Sequence, residues 1–378
     1  MTLEPLPSGD HAVHGKPRIA IWGDSHTAAG PFVETLLEAW GLPSGSTRPS
    51  FIPPSFGQRN VRLRGLQSCV SGQWRWRTAF RKAAPSSSPP MRMAKGLVAL
   101  ASETSGSTLG FDFRAAAPGA RLRWLDIVFS KDDPTRALVL GLRVNGGTEQ
   151  LVFLYGGDVS LLRVQAEASG NAGVAIATLH LRLVAGQVTI EGLAPAYDDA
   201  PAAPTVDVFS VPGSTIAAWQ NVDLRYLAGR EVDPVDYDLV LFQYGTNDAL
   251  AHDFEPGEFA RSMRSALSRL REVAPHARCV VIGPPDRGSG SRRGVNTGES
   301  RRLSQLHATV SAVQERVAAE FSCTFWNWQR AMGGPGAALR WVRMEPRLMQ
   351  PDLVHLTAEG YAQSARALAT VVTPRGKR

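Results

Sequence analysis

The chain has 378 residues, of which 43% are hydrophobic, and it carries a formal net charge of +7. The hydrophobic content excludes an intrinsically disordered chain, and the length allows two domains. No run of about 18 apolar residues occurs, so we expect no transmembrane segment. The positive charge favours acidic polymers as partners and does not by itself indicate nucleic acid.

The N-terminal residues are polar and lack the apolar core of a signal peptide. We expect residues 1–16 and 374–378 to be flexible termini. Two locations stay open: the cytoplasm if the sequence is complete, and the periplasm or cell envelope if a signal peptide has been removed. The oligomeric state is open as well, with a monomer as one outcome. Three cysteines leave at least one thiol free, and a disulfide between Cys279 and Cys323 is open because each begins a predicted strand.

Residues 17–42 predict a strand, a tight turn and a helix. An apolar run ends in Gly23-Asp24-Ser25-His26, and a helix-like run follows from residue 31 to 40. Open α/β sheets bind ligands at the carboxyl ends of their strands, which makes the Ser25 hydroxyl a candidate nucleophile. Asp24 is expected to hold the turn by accepting hydrogen bonds from backbone N–H groups.

Residues 43–90 form an irregular stretch rich in Pro, Gly, Ser and Arg. Within it, Trp74-Arg75-Trp76-Arg77 alternates aromatic and basic residues, so a strand would place both tryptophans on one face. Two interpretations stay open: a platform for a sugar or a base, and a strand with one buried face. We favour the second interpretation.

From about residue 91 to 204, short β-rich runs alternate with turn residues. The predicted strands are Leu122–Phe129, Arg136–Val144, Gln150–Tyr155, Val159–Gln165, Ala175–Leu183 and Gln187–Glu191. This spacing is typical of a β-sandwich or jelly roll. We interpret residues 91–204 as an inserted all-β domain. It would interrupt a catalytic domain made of residues 17–83 and 205–373.

Alternating strands and helices resume after the inserted region. The predicted strands are Val206–Phe209, Asp238–Tyr244, Cys279–Gly283 and Cys323–Trp328, and the predicted helices are Ile216–Leu227, Pro256–Ala274, Glu299–Phe321 and Ala358–Val372. This alternation predicts an α/β fold with a doubly wound parallel sheet, in a flavodoxin-like arrangement of three layers. A loop between residues 284 and 298 carries Arg287, Arg292 and Arg293, for which the sequence indicates no role.

Polar residues gather at the turns of this predicted fold. Asp352 and His355 are three residues apart, so on a turn they face the same way. His355 is a candidate base for Ser25, and Asp352 is the acid that would set its tautomer. The candidate oxyanion-hole donors are the backbone N–H groups of Ser25 and Gly213 and the side-chain amide of Asn247.

Taken in order, these motifs resemble the SGNH (GDSL) hydrolase superfamily. The four matching blocks are Gly23-Asp24-Ser25, Gly213, Gly245-Thr246-Asn247 and Asp352-Leu353-Val354-His355. The resemblance implies a Ser25–His355–Asp352 triad and an oxyanion hole completed by Gly213 and Asn247. Two positions depart from the family pattern: His26 replaces a leucine, and no asparagine shortly precedes Gly213.

Longer stretches around these blocks are similar to bacterial peptidoglycan O-acetylesterases, which carry an inserted β-sandwich resembling a carbohydrate-binding module. The resemblance implies a carbohydrate O-acetylesterase that acts on O-acetylated peptidoglycan. Since the chain has no zinc-type motif, we expect no metal and no other cofactor. We expect a polysaccharide partner and no nucleic acid. Candidate pocket-lining residues are Asp24, His26 and Tyr244.

Three alternatives stay open at this point. The first is an acetyl esterase or acetyltransferase that acts on acetylxylan or an exopolysaccharide. The second is a catalytically inactive carbohydrate-binding protein. The third, a nucleic-acid binder, has only the net charge and the Trp-Arg alternation in its favour, because no recognition motif occurs.

Overall fold

The computed structural model of the protein describes residues 16–43, 45–79, 90–114, 121–131, 133, 135–155, 159–166, 175–198, 203–224, 236–250, 254–291 and 294–374. Nearly all of the two predicted flexible termini, and also Arg292 and Arg293, lie outside these residues. Within the described part of the chain, no helix is long and apolar enough to cross a membrane.

Strands and helices follow one another along the chain with the following bounds. The strands are β1 (Arg18–Gly23), β2 (Gln67–Ser71), β3 (Arg75–Thr78), β4 (Val98–Ser102), β5 (Thr108–Asp112), β6 (Leu122–Ser130), β7 (Leu138–Val144), β8 (Gln150–Leu154), β9 (Val159–Gln165), β10 (Thr178–Ala185), β11 (Val188–Tyr197), β12 (Thr205–Val208), β13 (Leu239–Gln243), β14 (Arg278–Ile282), β15 (Gly290–Ser291), β16 (Gly294–Val295) and β17 (Thr324–Trp326). The α-helices are α1 (Ser25–Ala28), α2 (Pro31–Ala39), α3 (Pro256–Val273), α4 (Thr297–Glu320), α5 (Trp328–Ala331), α6 (Ala337–Trp341) and α7 (Ala358–Ala369).

The chain divides into two compact units. The parallel unit comprises Met1–Ser44, Pro212–Gln220 and Asp236–Arg378, and the β unit comprises Gly45–Val211 and Asn221–Val235. All of the candidate catalytic and oxyanion-hole residues belong to the parallel unit.

In the parallel unit, strands β1, β13, β14 and β17 lie side by side in that order and run parallel. Gly23 at the end of β1 pairs with Gln243 at the end of β13, which in turn pairs with Ile282. Every residue of β13 is buried, as expected for a strand covered on both faces. The predicted α/β fold with a parallel sheet is confirmed. Because the strand ends are in register, the turns that follow β1 and β13 lie at one edge of the sheet.

Helices of this unit bury one apolar face each. In α3 the buried side chains include Phe259, Met263, Leu267 and Leu270, which are spaced at helical intervals. This confirms the predicted amphipathic helix. Helix α3 packs against α4, and α2 packs against α7.

Cys279 and Cys323 form a disulfide with a Cα–Cα distance of 4.7 Å. Cys279 lies in β14, and Cys323 directly precedes β17, the neighbouring parallel strand. The pairing that the sequence left open therefore occurs. Cys69 is a free, exposed thiol.

The β unit contains two antiparallel five-stranded sheets, ordered β2-β5-β10-β7-β8 and β3-β4-β11-β6-β9. Alternate residues of both sheets point into one shared core, among them Phe111, Leu140 and Leu181 from one sheet and Leu125 and Ile190 from the other. The strands predicted between residues 122 and 191 all occur. Their ends shift by at most three residues, except that β11 ends at Tyr197, six residues beyond the predicted end at Glu191.

The predicted boundary of the catalytic domain at residue 83 differs from the contact pattern. Strands β2 and β3 lie within residues 67–78, which we assigned to the catalytic domain, yet they pair with β5 and β4 of the β unit. The backbone hydrogen bonds of β2 and β3 place residues 67–78 in the antiparallel sheets, because backbone N–H and C=O groups need hydrogen-bond partners. The two tryptophans do not share one buried face either: Trp74 lies in the core, whereas Trp76 is exposed.

The predicted helix from Ile216 to Leu227 is not continuous in its described part. A short 3₁₀ helix spans Ile216–Trp219, and the chain leaves helical geometry at residues 220–223. The burial of Ile216, Ala218 and Trp219 explains the apolar pattern that suggested a longer helix. Residues 225–235 lie outside the described residues.

Candidate active site

Ser25 is the first residue of α1 and directly follows β1 and its turn. The Asp24 side chain caps this helix, since its Oδ1 atom accepts a hydrogen bond from the His26 N–H group at 2.9 Å. Gly23 allows the backbone of the turn to pack closely against the Thr27 side chain, because a Cβ atom at position 23 would lie 2.3 Å from Thr27 Oγ1. The turn leaves Ser25 partly exposed at the edge of the sheet.

Three side chains form a hydrogen-bonded chain at this edge. Ser25 Oγ lies 3.1 Å from His355 Nε2, across 330 residues of sequence. On the other side of the ring, His355 Nδ1 lies 2.8 Å from Asp352 Oδ2. Because an ionised carboxylate only accepts, the proton of neutral His355 belongs on Nδ1, which leaves Nε2 free to accept the serine proton. The arrangement can therefore activate a hydroxyl for nucleophilic attack.

A local turn brings Asp352 and His355 together. Leu353 has a φ of +56° although it is not glycine, and its side chain is buried. Asp352 Oδ1 accepts hydrogen bonds from the backbone N–H groups of Val354 at 2.9 Å and His355 at 3.0 Å. Partial burial raises the pKa of Asp352, but its hydrogen bonds with the His355 side chain and these two N–H groups outweigh it and lower the pKa to about 2.

The candidate oxyanion-hole residues Gly213 and Asn247 lie on two turns that are bonded to each other. Asn247 Nδ2 donates a hydrogen bond of 3.0 Å to the carbonyl of Ser214, the residue after Gly213. An amide group has two N–H donors, so one remains for a ligand. Gly213 is exposed and has a φ of +82°, a conformation that favours glycine.

Asp248 connects the same two turns through hydrogen bonds of its carboxylate. Its Oδ1 accepts from the Ile216 N–H group at 2.9 Å, and its Oδ2 accepts from the Gly245 N–H group at 3.1 Å. Burial raises the pKa of Asp248 to about 7. A carboxylate that accepts from both turns fixes their spacing, which is what preorganised oxyanion donors require.

The Asp24 carboxyl group is buried beneath the nucleophile turn. Burial raises its pKa to about 6, against the lowering effect of the His26 N–H group. The backbone N–H of Asp24 donates to Gln243 Oε1 at 3.2 Å, which links the turn to the end of β13. Asp24 thus acts on the shape of the turn, as expected.

The prediction that Asp24, His26 and Tyr244 line a pocket is wrong, because all three have no exposed surface. His26 Nδ1 lies 3.0 Å from the Tyr361 hydroxyl, and its ring is 5.7 Å from the His355 ring. Burial lowers the pKa of His26 well below its usual value, so the ring is neutral. Tyr244 accepts a hydrogen bond from Trp219 Nε1 at 3.3 Å, and burial raises its pKa. These side chains therefore support the site from within the core of the parallel unit.

Comparisons with known proteins concern the family and the fold of the chain. Residues 180–363 match the model of the GDSL-like lipase/acylhydrolase family, a range that includes Gly213, Asn247, Asp352 and His355 but not Ser25. Among curated proteins, none matches the chain.

A solved structure of a peptidoglycan O-acetylesterase is 22% identical, with a TM-score of 0.67, and covers 94% of this chain and 89% of its own. This likeness shows the shared fold. A lipase/acylhydrolase from Enterococcus faecalis is 20% identical over 46% of this chain and 80% of its own, with a TM-score of 0.32. Est24, a carbohydrate acetylesterase from Sinorhizobium meliloti, is 18% identical over 43% of this chain and 76% of its own, with a TM-score of 0.31. Similarities this low support no further conclusion.

Proposed function

We propose that the protein is a carboxylic ester hydrolase of the GDSL-like lipase/acylhydrolase family, whose model matches residues 180–363, and that it removes O-acetyl groups from O-acetylated peptidoglycan. One observation carries the mechanism: the continuous hydrogen-bonded path from Ser25 Oγ through His355 to Asp352, with steps of 3.1 and 2.8 Å. It supplies the base and the orienting acid that a serine nucleophile needs.

In the proposed reaction, Ser25 Oγ attacks the acetyl carbonyl carbon while His355 Nε2 takes the serine proton. The backbone N–H groups of Ser25 and Gly213 and the Asn247 amide stabilise the oxyanion of the tetrahedral intermediate. When this intermediate collapses, the bond from the acetyl carbon to the sugar oxygen breaks, and His355 returns the proton to that oxygen. Water, deprotonated by His355, then attacks the acetyl carbon on Ser25. The bond from this carbon to Ser25 Oγ breaks, acetate leaves, and His355 returns the proton to Oγ.

Two observations support a cell-wall glycan as the substrate. The similar fold of a peptidoglycan O-acetylesterase extends over nearly the whole chain, including the β unit. The net charge of +7 favours an acidic polymer. We also propose a periplasmic or cell-envelope location, which the Cys279–Cys323 disulfide supports because disulfides persist in oxidising compartments.

We propose that the β unit holds the polymer on the outer face of the sheet β2-β5-β10-β7-β8. A cavity of about 390 Å³ opens on this face, and its lining includes the cross-strand row Cys69, Gly110, His180 and Arg143. On and just after the edge strand β8, Phe153 and Tyr155 are exposed by 57% and 74%. Exposed aromatic rings beside polar groups offer apolar faces and hydrogen bonds to a sugar chain.

The decisive experiment compares acetate release from O-acetylated peptidoglycan and from acetylated xylan. We expect a higher kcat/KM on peptidoglycan, and Ser25→Ala should abolish release from both. A preference for xylan would contradict the proposed substrate and leave the esterase intact. Full activity of Ser25→Ala would contradict the mechanism. Transfer of the acetyl group to a second sugar, measured in the same assay, would identify a transferase that uses the same residues.

A further inference from the structure

The loop between β14 and α4 is anchored to the segment that carries Asp352. Its Gly288 N–H group donates to the Leu353 carbonyl at 2.7 Å, and its Gly290 N–H group donates to the Asp352 carbonyl at 3.2 Å. Both glycines permit this approach, since a Cβ atom on Gly290 would lie 2.2 Å from the Pro351 carbonyl oxygen. The loop therefore lies directly against the Asp352 segment.

Asp286 anchors the loop from its other side. Its carboxylate accepts hydrogen bonds from Gln329 Nε2 at 2.7 Å and from the Ala338 N–H group at 2.8 Å. The backbone of Arg287 is thus held between Asp286 and Gly288, each of which is bonded to other parts of the parallel unit. The Arg287 side chain is itself partly buried, and its Nε atom has almost no exposed surface, which restricts where the guanidinium group can lie.

Arg287 has no counter-ion in the part of the chain that the structure describes. Among the described residues it forms no ion pair and no hydrogen bond, and its Nε atom is buried without a partner. The nearby acid Glu299 is already paired with Arg302 at 2.7 Å. A partly buried cation without a counter-ion is costly, and a ligand that supplies a negative charge would remove this cost.

The Arg287 charge interacts electrostatically with groups of the site. Burial lowers the pKa of Arg287, and the Asp352 carboxylate opposes this more than Asp24 or Glu299 does. Burial also lowers the pKa of His307 to about 4, and the Arg287 charge adds to this effect. The guanidinium group consequently acts on both Asp352 and the nucleophile turn, although it bonds to neither.

We propose that Arg287 is an anion-binding residue that recognises a carboxylate of the glycan next to the acetylated sugar hydroxyl. This inference rests on the proposed function and narrows it to acidic glycans. The planar guanidinium fork matches a carboxylate in a bidentate pair. In peptidoglycan the lactyl ether of a muramic acid residue carries a free carboxylate where no stem peptide is attached to it, whereas glucosamine and xylose residues carry none.

The test uses two sugars that differ only in the lactyl group: O-acetylated N-acetylmuramic acid, and N-acetylglucosamine that is O-acetylated at the same hydroxyl. Acetate release is measured for the wild type, Arg287→Gln, Arg287→Lys and the control Arg301→Gln, which removes an exposed arginine on α4. We expect Arg287→Gln to lower kcat/KM on the muramic substrate about ten- to a hundredfold, chiefly through KM, as for a lost charge-assisted hydrogen bond.

The same change should leave kcat/KM on the glucosamine substrate within about twofold, and Arg287→Lys should retain part of the preference because it keeps a point charge. Arg301→Gln should behave as the wild type. An equal loss on both sugars would overturn the inference, since it would indicate a general effect on the site. A wild type without preference would overturn it as well.

A binding measurement tests this inference independently of the proposed function. The Ser25→Ala variant is titrated with N-acetylmuramic acid and with N-acetylglucosamine, neither of which is an ester. Tighter binding of the muramic sugar that disappears in Ser25→Ala/Arg287→Gln would support an anion site even if no acetate ester is hydrolysed. Equal binding of the two sugars would overturn the inference even in an active esterase.

Discussion

His355 and Asp352 are joined twice, by His355 Nδ1 to Oδ2 at 2.8 Å and by the His355 backbone N–H to Oδ1 at 3.0 Å. The same carboxylate thus orients the imidazole ring and closes the turn that carries it. Replacing Asp352 should affect both the reaction and the local fold, and the choice of variant can separate these effects.

Asp352→Asn should lower kcat on 4-nitrophenyl acetate by about 10³- to 10⁴-fold. The asparagine oxygen can still accept the backbone hydrogen bonds, but its NH₂ group would favour the wrong tautomer of His355. Steady-state kinetics provide the measurement, and a thermal unfolding scan tests that the fold persists. Glu359→Gln, which neutralises an exposed carboxylate on α7, is the matched control. A loss of less than tenfold in Asp352→Asn would contradict the assigned role.

Asn247→Ala should reduce kcat about a hundredfold or more, with little change in KM, because it removes a donor that acts in the transition state. Asn145→Ala serves as a control, since Asn145 also bonds backbone groups but lies in the β unit. It should lower stability without lowering kcat. If Asn247→Ala instead raises KM and spares kcat, the amide binds substrate and is not part of the oxyanion hole.

Asp24→Asn should change how stability depends on pH. The pKa of Asp24 is raised from 3.8 to about 6, so the native state favours the protonated form. The wild type therefore loses stability relative to the variant as pH rises from about 4 to about 6, by about 3 kcal/mol, and the difference is constant above that range. Urea unfolding of both proteins at several pH values measures it. A difference that does not vary with pH would show that Asp24 is ionised without penalty.

Removal of the disulfide should destabilise the parallel unit. Its two cysteines are 44 residues apart, and closing a loop of that length is worth about 4 kcal/mol in the chain-entropy model. We expect the double variant Cys279→Ser/Cys323→Ser, or the wild type in reductant, to unfold at lower urea concentration. Cys69→Ser, which removes the free thiol, should leave the midpoint unchanged. Equal midpoints with and without reductant would contradict this prediction.

Phe153→Ala/Tyr155→Ala should weaken binding to insoluble peptidoglycan and slow its deacetylation, while turnover of 4-nitrophenyl acetate stays unchanged. The two rings are exposed and belong to the β unit, so the small ester does not need them. Trp76→Ala removes an exposed aromatic ring from the other sheet and is the matched control. Equal effects of the two variants on the polymer would argue against a specific glycan face.

Much of the fold followed from sequence periodicity. Buried strands such as β13 and β14 read as apolar runs, and α3 showed its apolar face at helical spacing, because each pattern reflects local geometry. The continuous helix predicted from Ile216 does not form. Its apolar residues are buried as one short 3₁₀ turn, and over so few residues periodicity cannot distinguish a short turn from a longer helix.

The sequence by itself determined the local parts of the site: Ser25 in its glycine turn, and Asp352 three residues from His355, where one turn suffices to join them. Only the tertiary structure decided what depends on distant packing. It brought Ser25 within 3.1 Å of His355 and buried His26 and Tyr244 out of reach of a substrate. It also left the Arg287 side chain, whose charge interacts with Asp352, without a counter-ion or hydrogen-bond partner among the described residues. Such relationships depend on how strands far apart in the chain align in one sheet, which local spacing does not encode.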